Sequence, residues 1–332
     1  MRSNVQADAA VGLDESSCRM LMPMERPEVT PGDLKAQRLA EKFDEAKAKG
    51  QDSILGKMWA YRGLVQAPYN IFDFRVSRHR DGPDEFFRSS RCVVQGDCFS
   101  GNTSVVIESN ERLQFAACWA HARRYVYEVN KENKHRAMLL DMIQLLYDAN
   151  AREQGMDAAA RTTHRQAASL PVLAAIKKYI DSLNDQVVLP KSDLADALRY
   201  LRNHWNALTL YATDGRIPID NNRVEQLMRE VALGRKNWLF VVNVEGGERS
   251  ARLMSIVSSA KRHHLDVGLY VKDILDRLLA GETDYSKLVP DQWKRENPHA
   301  IRVYREEEAR YKSDRKKLDR ARRIVAAKRR KP

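Results

Sequence analysis

Three acidic residues stand where a folded chain could bring carboxylates together. Asp14 closes a short apolar run at 9–14 that suits a buried strand, and open α/β sheets place their chemistry at the C-terminal ends of such strands. Asp97 follows Gly96 at the end of a second such run, which opens Arg91-Cys-Val-Val. Glu225 belongs to a helix. Val224, Leu227, Met228 and Val231 recur at i, i+3, i+4 and i+7, and Glu225 lies beside that stripe, at the edge of the core. Carboxylates so placed suit hard divalent cations, which take oxygen ligands. Each also has a plainer reading: a surface Glu225–Arg229 pair one helical turn apart, and ordinary strand-ending turns at Asp14 and Asp97. Taken singly, the residues do not decide.

The elements that must position these acids can be read from pattern. Pro218, Asp220 and Asn221 signal the start of the Glu225 helix, and Gly234 stands where a glycine would end it. Upstream, the charged, alanine-rich segment 33–49 reads as an exposed helix. Segments 58–65 and 69–77 read as strands of a hairpin broken at Gln66-Ala-Pro-Tyr69. In the second, Phe72, Phe74 and Val76 alternate with Asp73 and Arg75, the period of a half-buried strand. A turn or two of helix is expected in 84–90, a strand and then a loop around Asp97, and a strand running into a helix from Leu113. From 125 to 212 the pattern is helical throughout, with apolar stripes through Leu139, Ile143 and Leu146, then Leu173, Ile176 and Ile180, then Leu194, Leu198 and Leu201. After a turn at Gly246-Gly247, a helix over 248–263 should bury Leu253, Ile256, Val257 and Ala260. A second helix over 271–279 should end at Gly281, leaving 284–300 irregular.

Composition narrows the class. The chain has 332 residues, long enough for one elaborate domain or two, and its 43% hydrophobic and 31% charged content is that of a soluble protein. No apolar run approaches membrane-spanning length, and Met1-Arg-Ser-Asn-Val-Gln-Ala-Asp contains no apolar signal core, so the expected location is cytoplasmic, without membrane partners. Cys18, Cys92, Cys98 and Cys118 form no Cys-x-x-Cys pair and read as reduced thiols rather than as a zinc site. Of the twelve net positive charges, nine fall in residues 302–332, where fourteen Lys or Arg face five Asp or Glu. Such a tail points to a polyanion, most often nucleic acid, or to a solvated helix.

One long string goes further. Asp220-Asn-Asn-Arg-Val-Glu225, then Ala232-Leu-Gly-Arg-Lys-Asn-Trp-Leu-Phe240, then Gly246-Gly-Glu-Arg249 resembles the end of the catalytic domain in transposases of the insertion sequence 66 family. Cys118-Trp-Ala-His-Ala-Arg-Arg124 matches a further family motif. Gln95-Gly-Asp97 matches the family's Gln-x-Asp, though Cys98-Phe99 replace Gly-Tyr and Asn102 replaces a Tyr. Asp14-Glu15 matches its Asp-Glu, with Ser16-Ser17 in place of Thr-Pro. The resemblance covers residues 8–281, and the chain starts just before the first expected strand, so the family's N-terminal coiled-coil and zinc-binding region is expected to be missing.

The resemblance implies a ribonuclease-H-like α/β fold, a mixed sheet with flanking helices and an inserted all-helical block. The expected division is 1–124 for the first part of the catalytic domain, 125–212 for the insertion, 213–283 for the end carrying Glu225, and 284–332 for the basic tail. It also implies metal-dependent DNA strand cleavage and strand transfer, with Asp14, Asp97 and Glu225 as both catalytic residues and ligands of Mg²⁺ or Mn²⁺. Arg123, Arg124, Arg235 and Lys236 are the expected DNA contacts. Partners would be transposon-end and target DNA, further copies of the chain, and accessory proteins of the same element. His121 could face DNA or an active-site carboxylate. Two other readings stay open: a decayed or truncated copy that binds DNA without chemistry, and a nuclease or resolvase on the same fold.

Overall fold

The structure, a computed structural model, describes residues 1–183 and 188–304, and beyond them 307, 308, 310–316 and 318. In chain order the larger elements are α1 (Arg2–Gln6), β1 (Ala10–Leu21), α2 (Leu34–Ala48), β2 (Ser53–Gly63), β3 (Asn70–Arg75), α3 (Asp81–Phe87), β4 (Cys92–Gly96), α4 (Ser100–Ile107) and β5 (Leu113–Ala117). Then come α5 (Trp119–Glu128), α6 (Lys134–Ala151), α7 (Ala158–Ser182), α8 (Asp193–Asn203), α9 (Trp205–Thr209), α10 (Asn222–Trp238), α11 (Val244–Arg262), α12 (Val267–Leu279) and α13 (Pro290–Glu296). The chain divides into two units, Met1–Ser255 and Ile256–Pro332.

The first unit is built on a five-stranded mixed sheet in the order β3-β2-β1-β4-β5. Strands β1 to β3 are an antiparallel meander, while β4 and β5 add to β1 in parallel. Parallel neighbours need crossovers, supplied here by α3 and α4. From α5 to α9 the described chain is helical, as the apolar stripes require: Leu139, Ile143, Leu146, Leu173, Ile176, Ile180, Leu198 and Leu201 share one apolar cluster with Ala116, Ala117 and Trp119. A second cluster gathers Met20, Met58, Phe72 and Phe74 of the meander with Val224, Leu227, Met228 and Val231 of α10.

Helix α10 lies close against β1 because Gly12 has no side chain. A Cβ there would stand 2.6 Å from Val224 Cγ2 and 3.0 Å from Asn221 Oδ1. Gly12→Ala is therefore expected to lower the unfolding free energy by about 1–3 kcal/mol, through overpacking. Urea unfolding checks it, and unchanged stability would mean that the helix has room to move off the strand.

Several sequence expectations need correction. Gly234 does not end α10, which runs on to Trp238 and stops at Leu239 with φ of 58°. Gly246 and Gly247 are inside α11, not in a turn: a Cβ on Gly247 would meet the Phe74 ring at 2.3 Å, so close approach explains that glycine. Leu253 is exposed, not inward. Strand β3 is buried on both faces, because Asp73 and Arg75 pair with each other at 2.7 Å and Arg75 also reaches Glu85. The loop expected after Asp97 includes α4, and the stretch 284–300 includes α13.

In the second unit Ala260, Leu265, Tyr270, Ile274, Leu288, Trp293 and Ala300 form a core of their own. Tyr304 belongs to it, donating to Leu265 O and accepting from Val267 N. Most of the basic tail lies outside the described residues.

Candidate functional site

The sheet brings two of the three acids close enough for the charge of Asp97 to act on Asp14. Gly12 of β1 stands opposite Gln95 of β4, the last pair of that ladder, and Asp14 and Asp97 each lie two residues past it. Asp14 lies inside β1, not at the strand end expected from its apolar run, because the strand continues, paired with β2 as far as Leu21, whereas β4 ends at Gly96. Past Gly12, one side of β1 is thus free of ladder bonds to β4, and Asp14 sits at that opening. Asp97 is turned by its own loop: Oδ1 accepts from Asn102 Nδ2 at 2.6 Å and from Phe99 N at 3.4 Å.

Glu225 comes from the first turn of α10. Asn221, the residue before that helix, fixes its start, since Nδ2 donates to Leu13 O at 2.8 Å, one residue before Asp14. Its backbone N–H donates to Cys118 Sγ at 3.2 Å. The approach to α10 is held by Arg165, a fully buried side chain bridging to Glu153 at 2.7 Å and donating to the carbonyls of Tyr211, Asp214 and Ile217. In this way the helical block sets where Glu225 stands.

The electrostatics are those of crowded acids. Asp14 is pushed up to about 8, first by burial, then by the charge of Glu15, with Glu225 and Asp97 adding to it; an N–H bond from Glu15 works the other way. Like charges and loss of water both favour the protonated carboxyl. Glu15 is raised too, by burial, although Arg78 Nε pairs with it at 2.5 Å. Its second oxygen is buried with no hydrogen-bond partner. Arg78 is a cation of this site, with Lys57 also acting on Glu15: the Arg78 guanidinium lies 3.6 Å from the centre of the Phe99 ring, and Nη2 is 3.7 Å from Asp97 Oδ2.

His121 faces the carboxylate. Its Nδ1 is 3.5 Å from Glu225 Oε1. Among the described residues, the group of three ligand-type side chains whose donor atoms all lie within 4.8 Å of one another is Cys118, His121 and Glu225, and Asp14 and Asp97 are not part of it. The four cysteines are free thiols. Of the expected DNA contacts, Arg123 and Arg124 are exposed on α5, and Arg235 and Lys236 are exposed near the end of α10. Arg235 donates to Ser17 O at 2.8 Å, and Arg124 pairs with Glu128. Sequence reading missed Arg78 and Arg165; it named Asn221 as a helix start, which it is, but the Asn221 side chain makes no cap bond and goes to Leu13 O instead. For Arg78 a signal was present in Ser77-Arg-His-Arg80, a basic run directly after a strand; a buried arginine inside a helix such as Arg165 leaves none.

A family model described as Transposase IS66 family matches residues 34–249, a range that includes Asp97 and Glu225 but not Asp14. Three curated proteins of Sinorhizobium fredii (strain NBRC 101917 / NGR234), each described as uncharacterized, are similar. Protein y4jD is 37% identical over 188 residues, 55% of this chain and 36% of that protein. Protein y4hP is 25% identical over 264 residues, covering 72% and 48%. Protein y4qI is 29% identical over 259 residues, covering 74% and 47%. The chain spans half or less of the length of these relatives. No solved structure matches it. Among the described residues, no helix is long and apolar enough to cross a membrane.

Proposed function

This chain belongs to the transposase IS66 family, and from that premise we propose that it is the catalytic chain of a DNA transposase working through Asp14, Asp97 and Glu225. The observation that supports the reading is that the charges of Glu225 and Asp97 both act on buried Asp14, where β4 leaves β1 and where Asn221 ties the start of α10 to Leu13 O. The strand order, with an antiparallel meander followed by two parallel strands, supports a ribonuclease-H-like fold.

The donor set is carboxylate oxygen, which Mg²⁺ and Mn²⁺ take, and a cation shared by all three acids would have to draw them closer, since their oxygens do not all lie within 4.8 Å of one another. Burial first, and then the neighbouring carboxylates, raise Asp14, so the site favours a proton or a cation over bare negative charge. When bound, such cations activate an attacking water and neutralise the leaving oxygen of the scissile phosphodiester. The chain's own groups do the rest. Asn102 orients Asp97, and Asn221 sets the height of Glu225 against β1. Arg78 balances Glu15 and Asp97 beside the opening, at a place where it can meet a phosphate oxygen. Arg123, Arg124, Arg235 and Lys236 would contact DNA phosphates on either side.

Nicking of DNA carrying the element's ends, by wild type and by site variants, tests the reading. A second reading, a copy that binds DNA without cutting, draws on the replaced residues Phe99 and Asn102. Here Phe99 lies under Arg78 and Asn102 holds Asp97, so the loop still serves the acid, and the same assay separates the two. Transposon ends, target DNA, further copies of the chain and accessory proteins of the element are the partners this function requires.

The tail is assigned sequence-independent DNA affinity. Its nine net charges should release several counterions, giving a steep fall of affinity with salt. The comparison is full-length protein against a chain ending at Tyr304, because a cut at Pro298 would remove Ala300 and Tyr304 from the second core. The slope of log affinity against log salt should be shallower for the shortened chain by several units. An equal slope would leave the tail a solvated segment.

A further inference from the structure

Cys118, His121 and Glu225 present a sulfur, an imidazole nitrogen and a carboxylate oxygen within 4.8 Å of one another. Cys118 is the residue before α5, and His121 lies in its first turn, so the Cys-x-x-His spacing turns both side chains to one side of that helix. Glu225 arrives from α10. Two independent observations mark the space between them. First, His121 Nδ1 and Glu225 Oε1 are both buried with no hydrogen-bond partner, although they face each other. A buried orphan of this kind is costly unless something joins it. Second, Cys118 Sγ, fully buried, accepts the backbone N–H of Asn221, the residue before α10, at 3.2 Å, so the sulfur is held at the foot of the helix that carries Glu225.

We propose that Cys118, His121 and Glu225 form a site for a thiophilic divalent cation, Zn²⁺ by its ligand chemistry, separate from the all-oxygen set and sharing only Glu225 with it. A tetrahedral zinc with bonds of about 2.0–2.2 Å to nitrogen and oxygen holds those two atoms roughly 3.4 Å apart. The observed Nδ1–Oε1 separation is 3.5 Å. Sulfur and imidazole discriminate against Mg²⁺ and in favour of zinc or cobalt. Three protein ligands leave a fourth position for water, an open rather than a closed site. Burial holds the free thiol up at about 12, so uptake of the cation has to release the thiol proton. A cation here clamps the first turn of α10 to the first turn of α5.

The site does not depend on the chain's cutting DNA, and cobalt spectroscopy distinguishes the two assignments. Co²⁺ added to reduced, metal-free protein should give one equivalent of a thiolate-to-cobalt charge-transfer band, bleached by Zn²⁺. Cys118→Ser should abolish the band, His121→Gln should weaken Co²⁺ binding at least about tenfold, and Asp14→Asn should leave both unchanged. Absence of the band in wild type overturns the proposal, as does its survival in Cys118→Ser. If Cys118→Ser does not fold, His121→Gln decides alone, its side chain being partly exposed and its replacement polar; wild-type cobalt affinity in that variant overturns the site.

Discussion

Glu225→Gln and Asp97→Asn should each reduce metal-dependent nicking of DNA carrying the element's ends by at least about a hundredfold, the scale on which one lost electrostatic contact to a transition state is felt. Each substitution removes a charge and one cation ligand while keeping the shape of the side chain. The fold has little reason to respond. Glu225 is more than a third exposed, with a side-chain accessibility of 38%. Asn at position 97 can still accept from Asn102 and Phe99 through its amide oxygen, losing only the long contact to Arg78. Unfolding free energies should stay within about 0.5 kcal/mol of wild type. Calorimetric titration with Mn²⁺ alongside the nicking assay completes the test. Variants that bind Mn²⁺ and nick as well as wild type would end the three-acid assignment.

The second large effect is on stability. Without divalent metal, Asp14→Asn should be more stable than wild type at pH 9, by an amount of the order of 3 kcal/mol. The sign follows from the direction of the shift. Asp14 titrates near its ordinary value, 3.8, in the unfolded chain and near 8 in the folded protein. Between those values the folded state binds the extra proton, so stability is full below about pH 4 and is lost as the pH rises through 8. Asparagine has no such loss, and it keeps an acceptor for the N–H of Glu15. Urea unfolding from pH 5 to pH 9 in the presence of a chelator measures the gap between the two proteins. Mg²⁺ or Mn²⁺ should then restore wild type at pH 9 and do nothing for the variant. A gap that stays constant with pH would show that burial and the neighbouring carboxylates do not act on Asp14.

Much of the frame was legible because it depends on local pattern. Apolar residues spaced by three and four make one helical face whatever surrounds them, and Val224, Leu227, Met228 and Val231 are all buried as that spacing demands. The hairpin of β2 and β3 and the helical run from α5 to α9 were readable for the same reason. Where reading failed, a distant segment had overruled a local rule. Gly246-Gly247 suggests a turn, but the missing side chain of Gly247 makes room for Phe74, far away in sequence. The alternation in β3 suggests a half-buried strand, but the mutual pairing of Asp73 and Arg75 allows both to be buried.

The candidate site divides along the same line. By itself the sequence determined which side chains could carry the chemistry: Asp14 and Asp97 after short apolar runs, Glu225 beside a helical stripe, Cys118 and His121 three apart. Tertiary structure alone decided their company. Strand pairing brought the segments of Asp14 and Asp97 together, Asn221 tied α10 to the carbonyl of Leu13, His121 turned to Glu225, and Arg78 came between Glu15 and Asp97. The reason is physical: side-chain periodicity is a property of a few consecutive residues, whereas register, charge balance and the loss of water around a carboxylate depend on segments that meet only when the whole chain has folded.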